Sequence, residues 1–254
     1  MNNQYICYVA GKSGGHIIPA LTHAQNFLGE HSGYKLIFFS ADQDLDKKII
    51  SNYSYIDCHR ELALDNVPRK NMLAWPRFIW QLLRVFWSCL TTFVWYRPVK
   101  VVSMGGYLSI PVCIAAWFLR IPYVLYELNV VPGQAVLLLS RFAQHTYICF
   151  EESRTYFPRS ASCILTHYPL RYNHHDRIDR NQACKVLGID PAKKVIFVIG
   201  GSQGSQFINF CIEQWIERCV DTEQYWFIHQ TGVQEVDKVK ALYQKHSVPS
   251  IVFG

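Results

Sequence analysis

"YICYVAGKSGGHIIPA", residues 5–20, passes from an apolar strand-like run into a glycine-rich loop and then into a helical pattern. Glycines let the backbone come close to a ligand, and the first turn of the helix that follows aims free N–H groups at an anion. Gly11-Lys12-Ser13 suggests an ATP loop, but G-x-x-x-x-G-K-[ST] needs a glycine at position 6, where Ile6 stands inside the strand. The stretch is therefore a strand–loop–helix unit of another kind.

The same rhythm continues along the chain. Strands are expected at 5–10, 35–40, 100–104, 122–127, 145–150, 194–200, 225–230 and 250–253, with helices at about 17–29, 72–96, 108–119, 133–142, 204–219 and 234–245. Alternation of this kind predicts parallel sheets covered by helices, an α/β fold. "LRYNHHDRIDRNQ", 170–182, is polar and follows Pro169, so the domain boundary is placed there, giving domains 1–169 and 170–254. His174-His175 reads as a feature of this solvated linker. The second block holds about three strands and two helices and stops on "SIVFG", so the second domain is expected to be cut short.

Composition narrows the partners. Of 254 residues 50% are hydrophobic, 15% aromatic and 17% charged, which leaves apolar surface for a partner or a bilayer. The net charge of +6 is scattered without a basic block, which suits an anionic membrane and gives no nucleic-acid footprint. Nine cysteines, with no C-x-x-C pair and no zinc spacing, read as the thiols of a reducing compartment. "MNNQ" leads straight into the first strand without a leader, so the expected compartment is the cytoplasm.

"WPRFIWQLLRVFWSCLTTFVWY", 75–96, carries four Trp and three Phe, while Arg77, Gln81, Arg84 and Ser88 fall on one helical face. Three readings stand open. It is a core helix between two layers, or a helix that packs inward and also shows Trp, Phe and Arg to a membrane interface, with Arg69-Lys70 upstream helping to hold headgroups. The third is a single membrane span, weakened by the charge of Arg84.

Two further loops repeat the opening design. "SMGGYLSIP", 103–111, and "GGSQGSQFIN", 200–209, each follow a strand and open a helix, with Gly105-Gly106 and with Gly200, Gly201 and Gly204. Three such loops in two α/β blocks point to a ligand held in a cleft between two Rossmann-like domains.

"AGKSGGHIIPA", "SMGGYLSIPVCIAAW", "YELNVVPGQ", "YPLR", "GGSQGSQFIN" and "FIHQTG" stand in the order and approximate spacing of the MurG glycosyltransferases, which the chain resembles from residue 5 to its end. The resemblance implies a GT-B architecture of two Rossmann-like domains. It implies transfer of N-acetylglucosamine from UDP-N-acetylglucosamine to lipid I, the undecaprenyl-diphospho-muramoylpentapeptide, to make lipid II at the cytoplasmic face of the inner membrane. The first domain would hold acceptor and membrane, and the second the UDP-sugar. Inverting transfer needs a base for the attacking hydroxyl, and His16 at the first helical turn is the leading candidate, with Glu127 either a second base or the group that orients the first. By resemblance Ser13, Gly14, Gly15, Asn129, Arg171 and Ser202 occupy donor-contact positions, and Gly14, Gly15, Gly105, Gly106 and Tyr107 form the acceptor diphosphate loops. No cofactor is implied, and no D-x-D pattern is present to hold a metal.

The chain departs from the family pattern at Lys12, where glycine is usual, at Tyr126 and Leu128, and at His167-Tyr168. Lys12 either fills space meant for ligand or adds a cation beside the diphosphate. The uracil- and ribose-binding residues of the family would lie beyond Gly254, so the chain alone is expected to bind donor weakly and turn over little. The alternatives are a membrane-associated acceptor-binding module that takes its donor half from a separate chain, and an inactive fragment.

Overall fold

β1 (Gln4–Val9) splits its side chains evenly between two buried layers, Ile6 and Tyr8 on one face and Cys7 and Val9 on the other. A strand covered on both faces has no polar side, which is why its sequence is an unbroken apolar run. The computed structural model describes residues 4–68, 72–172, 176–201, 204–218 and 221–254. It divides into two compact units, Met1–Arg171 and Tyr172–Gly254.

The first unit runs β1, α1 (Gly14–Glu30), β2 (Tyr34–Ala41), α2 (Asp44–Ile50), β3 (Cys58–Leu62), α3 (Trp75–Tyr96), β4 (Lys100–Ser103), α4 (Ser109–Phe118), β5 (Tyr123–Glu127), α5 (Gln134–Leu139), β6 (His145–Ile148) and β7 (Cys163–Leu165). Short 3-10 helices cover Met72–Ala74 and Glu151–Tyr156. All seven strands are parallel, in the order β3-β2-β1-β4-β5-β6-β7. Ile17, Ala20, Leu21 and Ala24 of α1 pack on one face, and Val85, Cys89 and Phe93 of α3 with Val112 and Ala116 of α4 pack on the other. Phe93 meets Phe39 edge-on at 5.8 Å, one of the contacts that holds α3 to the sheet.

The second unit holds α6 (Arg180–Leu187), β8 (Lys194–Ile199), α7 (Gln206–Arg218), β9 (Tyr225–Gln230), α8 (Val236–Lys245) and β10 (Ser250–Phe253). Its three strands are parallel in the order β10-β9-β8, over a core of Val198, Ile216, Phe227, Val239 and Tyr243. Each unit is thus a Rossmann-like layering, and the pair supplies the components of the GT-B architecture.

Four elements depart from the expected pattern. β3 is an edge strand reading "CHREL", whose charges mask its period, and β7 has only three residues. α2 has seven residues, too few for a helical period to show. α6 begins inside the stretch read as linker: Asp179 caps it by accepting from the N–H groups of Asn181 (2.7 Å) and Gln182 (3.0 Å), and Gly188 closes it at φ 67°.

The core-helix reading of 75–96 is overturned. Only Val85, Cys89, Thr92 and Phe93 of α3 are buried, a single narrow stripe, whereas Trp80, Trp87 and Trp95 are 69%, 67% and 83% exposed. One helical stripe is all that a sheet face can cover, so the surplus apolar side chains face outward. Arg69-Lys70, His174-His175 and Cys219 lie outside the described residues. The other cysteines are unpaired, with Cys7, Cys89, Cys113 and Cys184 buried and Cys211 exposed.

Candidate active site

Strand order in the first unit reverses direction between β1 and β4, since β2 and β3 lie to one side and β5 to β7 to the other. The loops leaving the carboxyl ends of two such strands diverge and open a crevice, the usual ligand site of an open α/β sheet. Here those loops are 10–13 and 104–108. Between them lies a cavity of about 240 Å³ lined by Gly11, Lys12, Ser13, His16, Gly106, Tyr107 and Leu108. The topology thus brings together Ser13, His16, Gly106 and Tyr107, with Gly14 and Gly15 opening the adjoining helix.

Ser13 stands at the N-cap of α1, but its hydroxyl makes no capping bond. It turns instead to His16, with Oγ 2.8 Å from Nδ1. That bond fixes the ring, and in the tautomer whose Nδ1–H donates to Ser13 Oγ it is Nε2 that can take a proton. Burial lowers the His16 pKa below the ordinary 6.5, against an opposing pull from the Glu127 charge, so the ring is neutral at pH 7. A Cβ on Gly14 or Gly15 would meet only ordinary contacts, at 3.7 and 3.8 Å, so packing does not require either glycine. Both leave the first helical turn uncovered.

The second loop is built from serines. Ser103 Oγ donates to Ser109 Oγ (2.7 Å), Ser109 Oγ donates to the Gly105 carbonyl (2.6 Å), and the Gly105 N–H donates to Ser103 Oγ (3.1 Å). Gly105 and Gly106 both take left-handed backbone, at φ 82° and 77°, a pair that only glycine adopts without strain. Tyr107 is carried across to donate from its hydroxyl to Asn66 Oδ1 at 2.9 Å.

Glu127 ends β5 and is buried, with both oxygens engaged. Oε1 accepts from the Asn129 backbone N–H (2.9 Å) and side chain (3.0 Å), and Oε2 accepts from the Gly133 N–H (3.0 Å). The carboxylate therefore shapes the loop leading to α5. The Asn129 side-chain amide is turned toward Glu127, and the Asn129 backbone carbonyl accepts from Ser153 Oγ at 3.0 Å. Arg171 is exposed at the last residue of the first unit, and Ser202 lies outside the described residues.

The departures from the family pattern acquire places. Lys12 takes the left-handed conformation, φ 67°, that a glycine would hold more cheaply. Its ammonium donates to the Leu64 carbonyl (2.7 Å) and Asn66 Oδ1 (3.2 Å) and sits 4.2 Å over the Tyr107 ring. Tyr126 is buried, its hydroxyl 2.7 Å from Nε2 of His23, whose Nδ1 lies 2.7 Å from the Tyr8 hydroxyl. Leu128 joins the core on the α1 face. Tyr168 reaches the Gly15 carbonyl at 3.5 Å and His167 is exposed.

Asp46 is a site residue the sequence did not signal. Fully buried on α2, it accepts at Oδ2 from the N–H groups of Ala41 and Lys12, both at 3.0 Å. "DQDLDKK" offers three aspartates in a row of polar positions, and nothing local separates this one from its neighbours. Among the described residues, no three His, Cys, Asp or Glu side chains come together as a metal site.

In the second unit the β8–α7 loop repeats the design. A Cβ on Gly204 would collide with the backbone carbonyl of Thr231, and the residue sits at φ 73°. Behind it Asn209 Nδ2 donates to the Thr231 carbonyl (3.0 Å) and Glu235 Oε2 (3.1 Å), and His229 bridges Asn209 Oδ1 (3.1 Å) and the Tyr243 hydroxyl (3.0 Å). This buried network holds the glycine loop against β9 and α8.

Comparison with known proteins agrees with this layout. Residues 6–148 match the glycosyltransferase family 28 N-terminal domain, and residues 195–253 match the family 28 C-terminal domain. The UDP-N-acetylglucosamine–N-acetylmuramyl-(pentapeptide) pyrophosphoryl-undecaprenol N-acetylglucosamine transferase of Geotalea uraniireducens is 30% identical over 237 residues, 92% of this chain. The chain spans only 63% of that relative's length. In fold it is similar to the crystal structure of Acinetobacter baumannii MurG, with TM-score 0.69 and 22% identity over 98% of this chain and 68% of that one. It is also similar to UDP-GlcNAc 2-epimerase from Neisseria meningitidis bound to UDP-GlcNAc, with TM-score 0.63 and 15% identity over 99% and 72%. On the match across more than half its length, to the domain that carries the β1/β4 crevice, the chain belongs to glycosyltransferase family 28.

Proposed function

We propose that the first unit binds lipid I, a lipid-linked muramoyl-pentapeptide diphosphate, in the β1/β4 crevice, and that His16 is the base for transfer of N-acetylglucosamine to it from UDP. The Ser13–His16 pair at the head of α1 carries this reading: a neutral imidazole, held by one nitrogen, opens into a cavity flanked by two glycine loops. The free N–H groups of the first α1 turn and the Gly105-Gly106 turn attract the acceptor diphosphate. His16 Nε2 takes the proton of the acceptor hydroxyl as its oxygen attacks the anomeric carbon of the donor. The bond from that carbon to the diphosphate breaks on the opposite face, and UDP leaves with the electron pair, inverting the configuration. Glu127 orients the loop beside the base and its charge steadies the imidazolium. In the second unit, the 200–204 loop and the start of α7 are assigned the donor diphosphate, with Ser202 as a polar contact.

Trp80 and Trp87 of α3 are exposed on the helical side that also carries exposed Arg84, and Trp117 and Phe118 of α4 are exposed next to Arg120 in the chain. α3 is long and apolar enough by composition to cross a membrane, but its Val85–Phe93 stripe is spent on the sheet. A peripheral stance at the cytoplasmic face of the inner membrane fits both facts and suits a lipid-borne acceptor. Supplying lipid II would link the protein to peptidoglycan synthesis, and through it to cell shape and division.

The test is acceptor binding and UDP release with a soluble lipid I analogue and UDP-N-acetylglucosamine. The analogue should shift the His16 imidazole resonance, and His16→Ala should cut UDP release by about 10²–10⁴-fold while leaving acceptor affinity nearly unchanged. Full turnover by His16→Ala, or an unmoved His16 resonance, overturns the reading. Binding without UDP release, restored by adding a donor domain on another polypeptide, points to the acceptor-binding module.

A further inference from the structure

Lys12 holds a left-handed conformation, φ 67°, that is strained for a residue with a Cβ, and such a residue persists only where its surroundings over-determine it. Its backbone is held from one side, where the N–H donates to Asp46, and adjoining Gly11 leaves no room for a Cβ against the Ala41 nitrogen at 2.8 Å. Its side chain is held from three others: the Leu64 carbonyl, Asn66 Oδ1 and the face of Tyr107. Tyr107 in turn donates to the same Asn66 oxygen. One ammonium thus joins the first glycine loop, the 64–66 segment after β3, and the second glycine loop. Two of the three N–H donors of the ammonium are engaged in this way.

Lys12 also borders two spaces. On one side is the 240 Å³ cavity of His16. On the other, at the carboxyl ends of β2 and β3, is a cavity of about 350 Å³ whose lining includes Lys12, Asp42, Asp65, Asn66, Arg77 and Gln81. Lys12 is common to both.

We infer that Lys12 is a positioning and specificity-determining residue: it clamps the two glycine loops together and partitions the acceptor crevice from the neighbouring polar cavity, confining a diphosphate-linked amino-sugar acceptor to the His16 side. The specificity half rests on the acceptor reading above; the clamp does not. Hydrogen exchange reads the clamp without any ligand, at the bonded amides of Leu64, Asp65, Gly105 and Ser109. Lys12→Met should speed exchange at these amides by about tenfold and leave the second unit unchanged, and Lys12→Arg should restore protection. Lys12→Met exchanging like the wild type overturns the clamp.

Lys12→Gly suits the left-handed backbone and so keeps the fold while removing the partition. Titrated with two soluble lipid I analogues, one bearing a bulkier peptide substituent, it should raise affinity for the bulkier relative to the smaller by about tenfold. Lys12→Met, which still fills the space, should keep the wild-type ratio. An unchanged ratio in Lys12→Gly overturns the partition. Failure of both analogues to bind any variant removes the specificity half and the acceptor reading together, while the exchange result still decides the clamp.

Discussion

His16 and Asp46 show two ways in which single residues build this crevice. His16 was legible because it follows a strand–glycine–helix junction, a purely local pattern. Its lowered pKa has a kinetic consequence: the acid limb of kcat/KM for transfer should fall below pH 6.5, because the base stays unprotonated down to its depressed folded value. A limb centred above pH 6.5 in a pH–rate profile would exclude His16 as the base. Asp46 was not legible, because one of its two backbone partners, Lys12, is set beside it only by the folding of β1 against β2. Asp46→Ala strands two donors in a dry site and should lower unfolding stability by about 2–4 kcal/mol in denaturant titration.

Among the elements, α3 and the 200–204 loop carry the clearest expectations. The apolar circumference of α3 was visible in the sequence, but which third of it would be buried depended on where the sheet lay. With Trp80 and Trp87 outward, the Trp80→Ser/Trp87→Ser double variant should lose affinity for phosphatidylglycerol vesicles by about tenfold or more in sedimentation, with its melting temperature unchanged. Unaltered sedimentation would remove the membrane role of this face. Gly204→Ala drives a Cβ into the Thr231 carbonyl at a left-handed φ and should destabilise the second unit by about 2–4 kcal/mol, read from near-UV signals of Trp215 and Trp226. Short edge strands such as β3 and β7 escaped notice because a strand paired on one side needs no apolar period.

For the whole molecule, burial lowers the pKa of His16, His23, His59 and His229 below 6.5. The unfolded chain therefore binds protons at these sites before the folded one does. Stability rises with pH wherever the unfolded state holds more protons, so this contribution is complete above pH 6.5 and is lost as pH falls toward the folded values. The denaturant midpoint should be lower at about pH 5.5 than at about pH 7.5, and His23→Gln should flatten that slope by removing the titrating group between Tyr8 and Tyr126. A midpoint that climbs on acidification would contradict the burial of these rings as the dominant effect.

The sequence by itself determined the α/β class, the order of its main elements and the three glycine loops, since apolar runs, helical periods and glycine placement are written over a few adjacent residues. Only the tertiary structure decided that Lys12 would clamp two loops, that Tyr126 would close a Tyr–His–Tyr chain, and that the aromatic side of α3 would face outward. Each of these joins residues tens of positions apart, and strand order, which no local pattern encodes, sets which of them meet.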